Sequence, residues 1–261
     1  MPNGARTRGR LGRATTVTVA VTTAILAAAG TATAAPGDLF GPSGGTTYVT
    51  PDNPGPFNGT FEKGSGTRRV TERYGAPEGG GTSSLELNTP KSGDSALYAT
   101  GEVEGPLETF RDSSYWALRG NGSSPDAAPA MNIAVDRNGG EIEPQDLVGL
   151  VFIPSSSPAG RWTRYDLGSA SFCFIRVSGG VDPYKECRDG APKRTIDDVL
   201  AEFPDATAYA AGVGLGTGTP GASGAADLMR VGDRTYDFER SAPRPEGRAS
   251  GPLTLPGPGR S

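Results

Sequence analysis

The chain has 261 residues, with 25 Lys and Arg, 29 Asp and Glu, no histidine and a formal net charge of −4. The lack of histidine excludes the Ser-His-Asp triad, the Cys-His pair and imidazole metal ligation, and with them most hydrolase classes. Nucleic-acid binding is disfavoured as well, because neutralising phosphates requires grouped Lys and Arg side chains that this acidic chain lacks.

The amino terminus has the three parts of an export signal. Four arginines end at Arg13, an uncharged run covers residues 14–29, and Ala32-Thr33-Ala34 is a small-residue cleavage motif. A membrane span is the competing interpretation, but the run is shorter than the roughly 20 residues that a span requires. The sequence therefore predicts a signal peptide over residues 1–34 and a secreted, extracellular product without a stable membrane anchor.

Gly- and Pro-rich stretches flank the central part of the chain. Residues 35–44 are predicted to be a leader and residues 241–261 a disordered tail, because both have almost nothing to bury. Residues 45–240 are long enough for one hydrophobic core and are predicted to form a single β-sandwich domain.

Within this domain, short apolar runs separated by turn residues predict strands. Leu85 and Leu87, and later Met131, Ile133 and Val135, alternate with other residues and should point to one face. Many short strands with little helix predict an all-β fold, a sandwich or jelly roll. The predicted strands are 46–50, 83–88, 96–101, 115–119, 130–136, 147–153, 161–166, 172–177, 206–213 and two around the Gly232-Asp233 turn.

One helix is predicted near residues 195–203. Thr195 is expected to cap it, because Asp198 follows three residues later as in a capping box. Val199 and Leu200 contribute to its apolar side, and the helix carries no obvious chemistry.

Cys173 and Cys187 are the only cysteines. In an exported chain an even pair predicts a disulfide, whereas two free thiols or a metal pair would lack a further ligand nearby. Such a bond would stabilise the fold by roughly 3 kcal/mol in the chain-entropy model. It is expected to join the strand at Phe172 to a loop before the Thr195 helix.

The order of several segments is familiar. Along the chain these are GTSSLELNTP, AMNIAVDRNGG, LVFIP, GRWTRYDL, TIDDVLAEFPDAT, AAGVGLGTGTPG and AADLMRVGDRTYDFE. Over roughly residues 45–239 this order resembles a family of exported bacterial proteins with a concanavalin-like or laminin-G-like β sandwich, to which no activity is assigned. The resemblance implies the architecture and transfers no catalytic residues. Residues 58–81 depart from it, being more polar and Gly-rich than the family's first hairpin.

Paired carboxylates remain available for glycoside hydrolysis. Concanavalin-like glycosidases carry acids at i, i+2 and i+4 on one strand face; Glu102 and Glu104 match, but the third acid, Glu108, lies beyond a Gly-Pro break. A polar strand end running into a turn is the favoured interpretation. No catalytic residue is therefore predicted, and no hydrolytic activity is expected.

Three further patterns resemble ligand sites. Residues 136–141 resemble a calcium loop but lack the further acid of an EF-hand, so a hairpin turn is predicted. Asp227 opens the closing hairpin, where an acid helps to hold a structural calcium in some jelly-roll modules; a turn acid at a strand end is favoured. Residues 212–216 alternate glycine like a phosphate loop, but no helix follows, so a strand is predicted. The sequence predicts no cofactor and leaves a metal site open.

Four aromatic side chains could stack on sugar rings if they line a concave face: Trp116, Trp162, Tyr115 and Tyr165. In alternating strands such residues more often belong to the core or to cross-strand pairs.

The leading functional hypothesis is a non-enzymatic exported module that binds an extracellular glycan or a cell-envelope polymer. It depends on fold analogy and on the absence of histidine. The alternatives are a carboxylate-dependent glycosidase or lyase on the same scaffold, and a structural or partner-binding surface protein.

Overall fold

The computed structural model describes residues 45–140, 142–176, 183–216 and 221–242. The predicted signal peptide, the predicted leader and residues 243–261 of the predicted tail lie outside these ranges. Within them, no helix has the length and the apolar character needed to cross a membrane.

Short strands dominate the described residues, and every strand expected from the sequence is present. The strands are β1 (Gly45–Val49), β2 (Gly59–Lys63), β3 (Thr67–Thr71), β4 (Ser84–Thr89), β5 (Ser95–Thr100), β6 (Gly105–Pro106), β7 (Ser114–Arg119), β8 (Ala130–Asp136), β9 (Leu147–Phe152), β10 (Trp162–Asp166), β11 (Phe172–Arg176), β12 (Lys193–Arg194), β13 (Thr207–Leu215), β14 (Ala222–Val231) and β15 (Arg234–Phe238). The helices are a 3₁₀ helix (Leu107–Asp112), α1 (Pro183–Arg188) and α2 (Ile196–Glu202).

The strands form two sheets packed as a sandwich, which confirms the predicted all-β fold class. Sheet A has the order β1-β15-β14-β4-β3, with β7 on β14 and β10 on β7. Sheet B has the order β12-β11-β9-β8-β13-β5-β2, with β6 on β13. Neighbouring strands are antiparallel except for β1 and β15, which pair in parallel.

Strand β14 has an unusual pairing along its two edges. Ala226 pairs with β4 and with β7, whereas Arg230 pairs with β15 and with β7. Since a strand has two edges, β7 lies along one of them, and β15 and β4 follow each other along the other. The end of β15 therefore meets the start of β4 beside β14, and the register shift between Asp227 and Arg230 falls at this junction.

The core lies between the sheets and is built from alternate residues. The five apolar side chains predicted to share a face, Leu85, Leu87, Met131, Ile133 and Val135, are all fully buried there. Burying a side chain of this size stabilises a fold by about 1.5–3 kcal/mol. Two aromatic groups complete the core: Phe57, Tyr98, Tyr236 and Phe238 in one, and Tyr115, Phe152, Tyr165 and Phe172 in the other.

Residues 58–81 differ from the sequence-based expectation, because they contain two strands that were not predicted. Strand β2 pairs only with β5, and β3 only with β4, so both lie at sheet edges. An edge strand keeps one side open to solvent and can carry polar residues. The apolar alternation that marks an interior strand is therefore weak in β2 and β3.

The predicted helix and its cap are confirmed. The Thr195 hydroxyl accepts the Asp198 N–H (3.1 Å), and the Asp198 carboxylate accepts the Thr195 N–H (2.9 Å), which completes the capping box at the start of α2.

The predicted disulfide is confirmed as well. Cys173 and Cys187 are bonded, with their Cα atoms 5.5 Å apart. Cys187 lies in α1 and not in a loop, so the bond fastens a helix that the sequence analysis missed onto the outside of sheet B. That helix places Tyr184 where Asn132 donates a hydrogen bond to its hydroxyl (3.1 Å).

Candidate binding site on the outer face of sheet A

The outer face of sheet A, which points away from the core, carries both tryptophans of the chain. In β7, Tyr115 packs in the core, so the next residue, Trp116, points outward. In β10, Tyr165 contacts Tyr115 in the core (ring centroids 5.6 Å apart), so Trp162 and Arg164 point outward.

The strand register makes the two tryptophans neighbours. Arg164 is directly opposite Trp116, and Trp162 is opposite Leu118, so Trp116 and Trp162 form a diagonal pair. Diagonal neighbours in an antiparallel pair are about 7–8 Å apart, within reach of large side chains. Both indoles are partly exposed.

The two tyrosines considered with them do not belong to this surface. Tyr115 is fully buried and donates its hydroxyl hydrogen bond to the Pro129 carbonyl (2.9 Å). The Tyr165 ring packs against Phe152, with its hydroxyl 2.7 Å from that of Ser157. Of the four aromatic candidates, only the tryptophans point to the outer face of sheet A.

A covering loop, residues 72–83, crosses part of this face. The Trp162 indole N–H donates to the Tyr74 carbonyl (3.3 Å), and the Tyr74 hydroxyl donates to Ser223 of β14 (3.0 Å). These two bonds place the loop beside Trp162.

Glu86, on the same face, holds two arginines. Its carboxylate accepts hydrogen bonds from Arg69 Nε (2.9 Å) and Arg73 Nη1 (2.6 Å). The Glu86 side chain is 3% exposed, whereas those of Arg69 and Arg73 are 64% and 57% exposed. Burial alone would raise the pKa of Glu86, but the hydrogen bonds and charges of Arg69 and Arg73 lower it below its usual range. The carboxylate therefore stays ionised.

Asp227 is buried at the junction of β14, β15 and β4. One carboxylate oxygen accepts the N–H groups of Leu228 (2.8 Å) and Phe238 (2.9 Å). Leu228, which follows, has a left-handed backbone (φ 45°) and lies in the register shift between Asp227 and Arg230. The other oxygen, Oδ2, is buried without a hydrogen-bond partner and lies close to Gly80 of the covering loop.

Two further carboxylates lie near Asp227. Glu239 accepts the N–H groups of Thr82 (2.9 Å) and Ser83 (3.3 Å), which ties the end of β15 to the start of β4. Asp237 is 3% exposed, and its Oδ1 has no hydrogen-bond partner. No Lys or Arg side chain in the described ranges neutralises Asp227 or Asp237.

Without a neighbouring Lys or Arg in the described ranges, the pKa values of both carboxyls are raised. The pKa of Asp227 is raised to about 8: burial is the main cause, the charges of Asp237 and Glu239 add to it, and hydrogen bonds from the Phe238 and Leu228 amides oppose it. Burial and the Glu239 charge raise the pKa of Asp237 to about 6. Burial and neighbouring like charges thus both disfavour the ionised form of these two carboxyls.

The structure corrects the interpretation of Asp227 as a strand-end acid, because Asp227 lies inside β14 and is completely buried. In the ranges that the structure describes, no group of three His, Cys, Asp or Glu side chains could hold a metal ion.

The other candidate calcium loop forms the expected connection between strands. Asp136 ends β8, and its carboxylate accepts the Asn138 N–H (3.2 Å) as the chain turns toward β9. Gly139 and Gly140 follow with positive φ. Glu141, the last residue of that pattern, lies outside the described ranges.

The candidate acids for hydrolysis do not share a strand face. Strand β5 ends at Thr100, and Glu102 and Glu104 are exposed on the turn that follows. Arg234 pairs with Glu102 (3.4 Å), and Glu108 lies exposed in the 3₁₀ helix. The structure brings none of these acids to the outer face of sheet A.

Residues 212–216 belong to β13 and to its end, in agreement with the strand interpretation. Gly214 and Gly216 lie against Tyr184, and a Cβ atom at either position would collide with its ring or hydroxyl. The alternating glycines therefore make room for α1 and do not cradle a phosphate.

Sequence reasoning missed Glu86 and its two arginines. The only local signal was an acid between Leu85 and Leu87, a pattern that is typical of a polar outer face. Burial of Glu86 depends on the covering loop, and its pairing with Arg69 and Arg73 depends on the β3–β4 register. No spacing along the chain indicates either.

Comparisons with known proteins do not identify a family for this chain. No protein-family model matches the chain, and no curated protein matches its sequence. One similar solved structure belongs to a study of promiscuous specificity in carbohydrate-binding modules of the β-sandwich superfamily, with 9% identity, 65% of this chain covered and a TM-score of 0.31. This chain spans about half of that structure (54%).

A second similar structure is a carbohydrate-binding module in complex with β-1,4-galactotriose. It has 12% identity and a TM-score of 0.29, and the match covers 66% of this chain and 86% of that one. These TM-scores are too low to transfer a fold or a ligand. The class of this protein, a two-sheet β sandwich, is therefore defined by its own sheets.

Proposed function

We propose that this protein is a secreted, non-enzymatic β-sandwich module that binds an extracellular glycan or cell-envelope polymer through the outer face of sheet A. The observation that carries the proposal is the position of Trp116 and Trp162, which are diagonal neighbours on that face and partly exposed. An indole combines a large apolar surface with one polar N–H, which suits the apolar faces and hydroxyl edges of sugar rings.

Three features support secretion. The Cys173–Cys187 bond is typical of proteins in oxidising compartments outside the cytosol. The predicted signal peptide over residues 1–34 and the resemblance to exported bacterial proteins agree with that location.

A binding role is favoured over catalysis because the arrangement offers no acid–base pair. The chain has no histidine, and the acids Glu102 and Glu104 lie on an exposed turn away from the tryptophans. A role in protein–protein assembly is disfavoured because Ile142 is the only exposed large apolar side chain among the described residues. Protein-binding surfaces usually present a contiguous apolar patch.

The proposal is tested with the purified protein on an array of bacterial and plant polysaccharides, followed by affinity electrophoresis with the best ligand. We expect retardation by at least one polysaccharide. Trp116→Ala and Trp162→Ala should each weaken binding about tenfold or more, because stacking area on the sugar is lost.

Tyr48→Ala is the matched control, since Tyr48 is a partly exposed aromatic at the far edge of the same sheet. Its affinity should equal that of the unaltered protein. Full affinity in the Trp116/Trp162 double variant would show that the site lies elsewhere. If no polysaccharide retards the protein, glycan binding is refuted. Release of sugar products that ceases in Glu102→Gln would instead support the enzyme.

A further inference from the structure

The Glu86 cluster, consisting of Glu86, Arg69 and Arg73, lies on the same face as the tryptophans. One row of paired residues crosses sheet A and consists of Arg69, Glu86, Ala225, Leu118 and Trp162. Glu86 and Trp162 are three inter-strand steps apart, roughly 14–15 Å between backbones. The cluster and the indoles are thus close enough for one oligosaccharide to touch both.

The covering loop joins the two groups. The Arg73 guanidinium lies over the ring of Tyr74, 5.2 Å from its centroid, and the Tyr74 carbonyl accepts the Trp162 indole N–H. A continuous strip therefore runs from Trp162 over Tyr74 to Arg73 and Arg69, with aromatic surface at one end and guanidinium groups at the other.

The cluster keeps a net positive charge toward solvent. One carboxylate offsets one of two guanidiniums, and Glu86 is too deeply buried for a ligand to reach. Arg69 uses its Nε and Arg73 its Nη1 on Glu86, which leaves further N–H donors on both exposed groups. The neighbouring Arg164 is by contrast neutralised by Asp166 (2.9 Å).

We propose that the glycan bound on this face is anionic, and that Arg69 and Arg73 receive its carboxylate groups, as in a uronic-acid polysaccharide. This inference rests on the proposed function of the same face. A guanidinium presents parallel N–H donors that match a planar carboxylate. Glu86 is a positioning residue: it holds two like-charged side chains side by side, and the lowered pKa of its carboxyl keeps it ionised while it does so.

The net charge of the chain makes this assignment specific. The protein is acidic overall, with a formal charge of −4, so general electrostatics would repel an anionic polymer. Binding of such a polymer requires a local cationic site, and the Glu86 cluster supplies one beside the aromatic surface. The affinity should therefore fall as salt is added, because exposed charges are screened.

The test compares three probes: polygalacturonate, its methyl ester, which has the same sugar chain without the charge, and dextran sulfate. We expect polygalacturonate to bind about tenfold more tightly than the ester. Arg69→Gln and Arg73→Gln should each remove most of that preference and leave binding to the ester unchanged. Arg188→Gln, in α1 on the opposite side of the sandwich, changes the charge equally and should have no effect.

The outcomes separate this inference from the proposed function. Equal binding of polygalacturonate and its ester, with binding still lost in Trp162→Ala, would overturn the anionic ligand and leave a glycan site. Tighter binding of dextran sulfate than of polygalacturonate would overturn the carboxylate assignment. If none of the probes or arrayed polysaccharides binds, the proposed function itself fails.

Discussion

Glu86 and Asp227 are two acids on the outer face of sheet A with nearly the same burial, 2% and 0% exposed, and opposite electrostatics. They lie on adjoining strands, since Glu86 pairs with Ala225, two residues before Asp227. The pKa of Glu86 is lowered, whereas that of Asp227 is raised to about 8. Burial penalises both carboxylates, so the difference comes from their partners: two arginines in one case, two backbone amides in the other.

The two regions consequently suit different tasks. At Glu86 the negative charge is retained, and the arginines that balance it remain exposed to solvent and to ligands. At Asp227 the carboxylate is enclosed and fastens the place where β15 ends and β4 begins. A buried acid on the outer face of a sheet can thus either hold exposed cations for a ligand or fasten two strand ends together. The presence or absence of cationic neighbours determines which of these roles it has.

The largest expected effect is that of Asp227→Asn on the pH dependence of stability. An acid with a raised pKa holds a proton in the folded chain that the unfolded chain releases, so stability falls as pH rises from 3.8 toward about 8. Each pH unit in that window costs at most about 1.4 kcal/mol, so the whole window is worth several kcal/mol. Asparagine keeps the oxygen that accepts the two amides and removes the charge.

Urea denaturation between about pH 5 and pH 9 measures this effect. Asp227→Asn should be more stable than the unaltered protein at the alkaline end and should show a shallower decline. Asp237→Asn should act mainly over the narrower window up to about 6, where the pKa of Asp237 lies, and should also lower the pKa of Asp227, because one repelling charge is removed. If the free energy of unfolding changed with pH in the same way in all three proteins, ionisation of Asp227 would not destabilise the fold.

A smaller effect is expected when the covering loop is forced off the junction. A Cβ atom at Gly81 (φ 70°) would collide with the Glu239 oxygen that accepts the Thr82 and Ser83 amides. Gly81→Ala should therefore destabilise the fold by about 2–4 kcal/mol, as the sum of left-handed strain and weakened hydrogen bonds.

Gly79→Ala is the matched control for Gly81. It has the same handedness (φ 86°), but no atom lies within 4 Å of an added Cβ, so only backbone strain is expected, about 1–2 kcal/mol. Both values come from thermal or urea unfolding. Equal losses in the two variants would mean that the Glu239 bonds contribute nothing measurable.

The smallest effect belongs to Glu86. Glu86→Gln should cost about 1–3 kcal/mol near neutral pH, because the two guanidiniums then donate to a neutral amide in place of a carboxylate. An acid with a lowered pKa stabilises the fold above its unfolded pKa of 4.5, and that contribution is lost as pH falls through the folded value.

Below pH 4.5 the unaltered protein should lose the Glu86 contribution, so Glu86→Gln should show a shallower decline there. Glu62→Gln is the control, since the Glu62–Arg68 pair is longer (3.7 Å) and its carboxylate is 45% exposed, and such surface pairs contribute about 1 kcal/mol or less. If Glu62→Gln and Glu86→Gln changed stability equally, the comparison between buried and exposed pairs would fail.

Several features could be predicted from the sequence because the physics that produces them is local. Alternation with a period of two residues is a property of a strand and its buried face, so Leu85, Leu87, Met131, Ile133 and Val135 indicated the core. The cap of α2 depends on two residues three positions apart. Even the Cys173–Cys187 bond needed only a count of cysteines and an expected compartment.

The candidate site depended on long-range contacts. Trp116 and Trp162 are neighbours because of the register between β7 and β10. The residues between these two strands carry no pattern that predicts this register. The sequence by itself determined the sandwich, its interior strands, one helix and the disulfide. Only the tertiary structure decided that Arg69 and Arg73 bind Glu86, and that Asp227 accepts hydrogen bonds from backbone amides alone. The reason is that the charge state of a buried acid depends on the groups that distant strands and loops place around it.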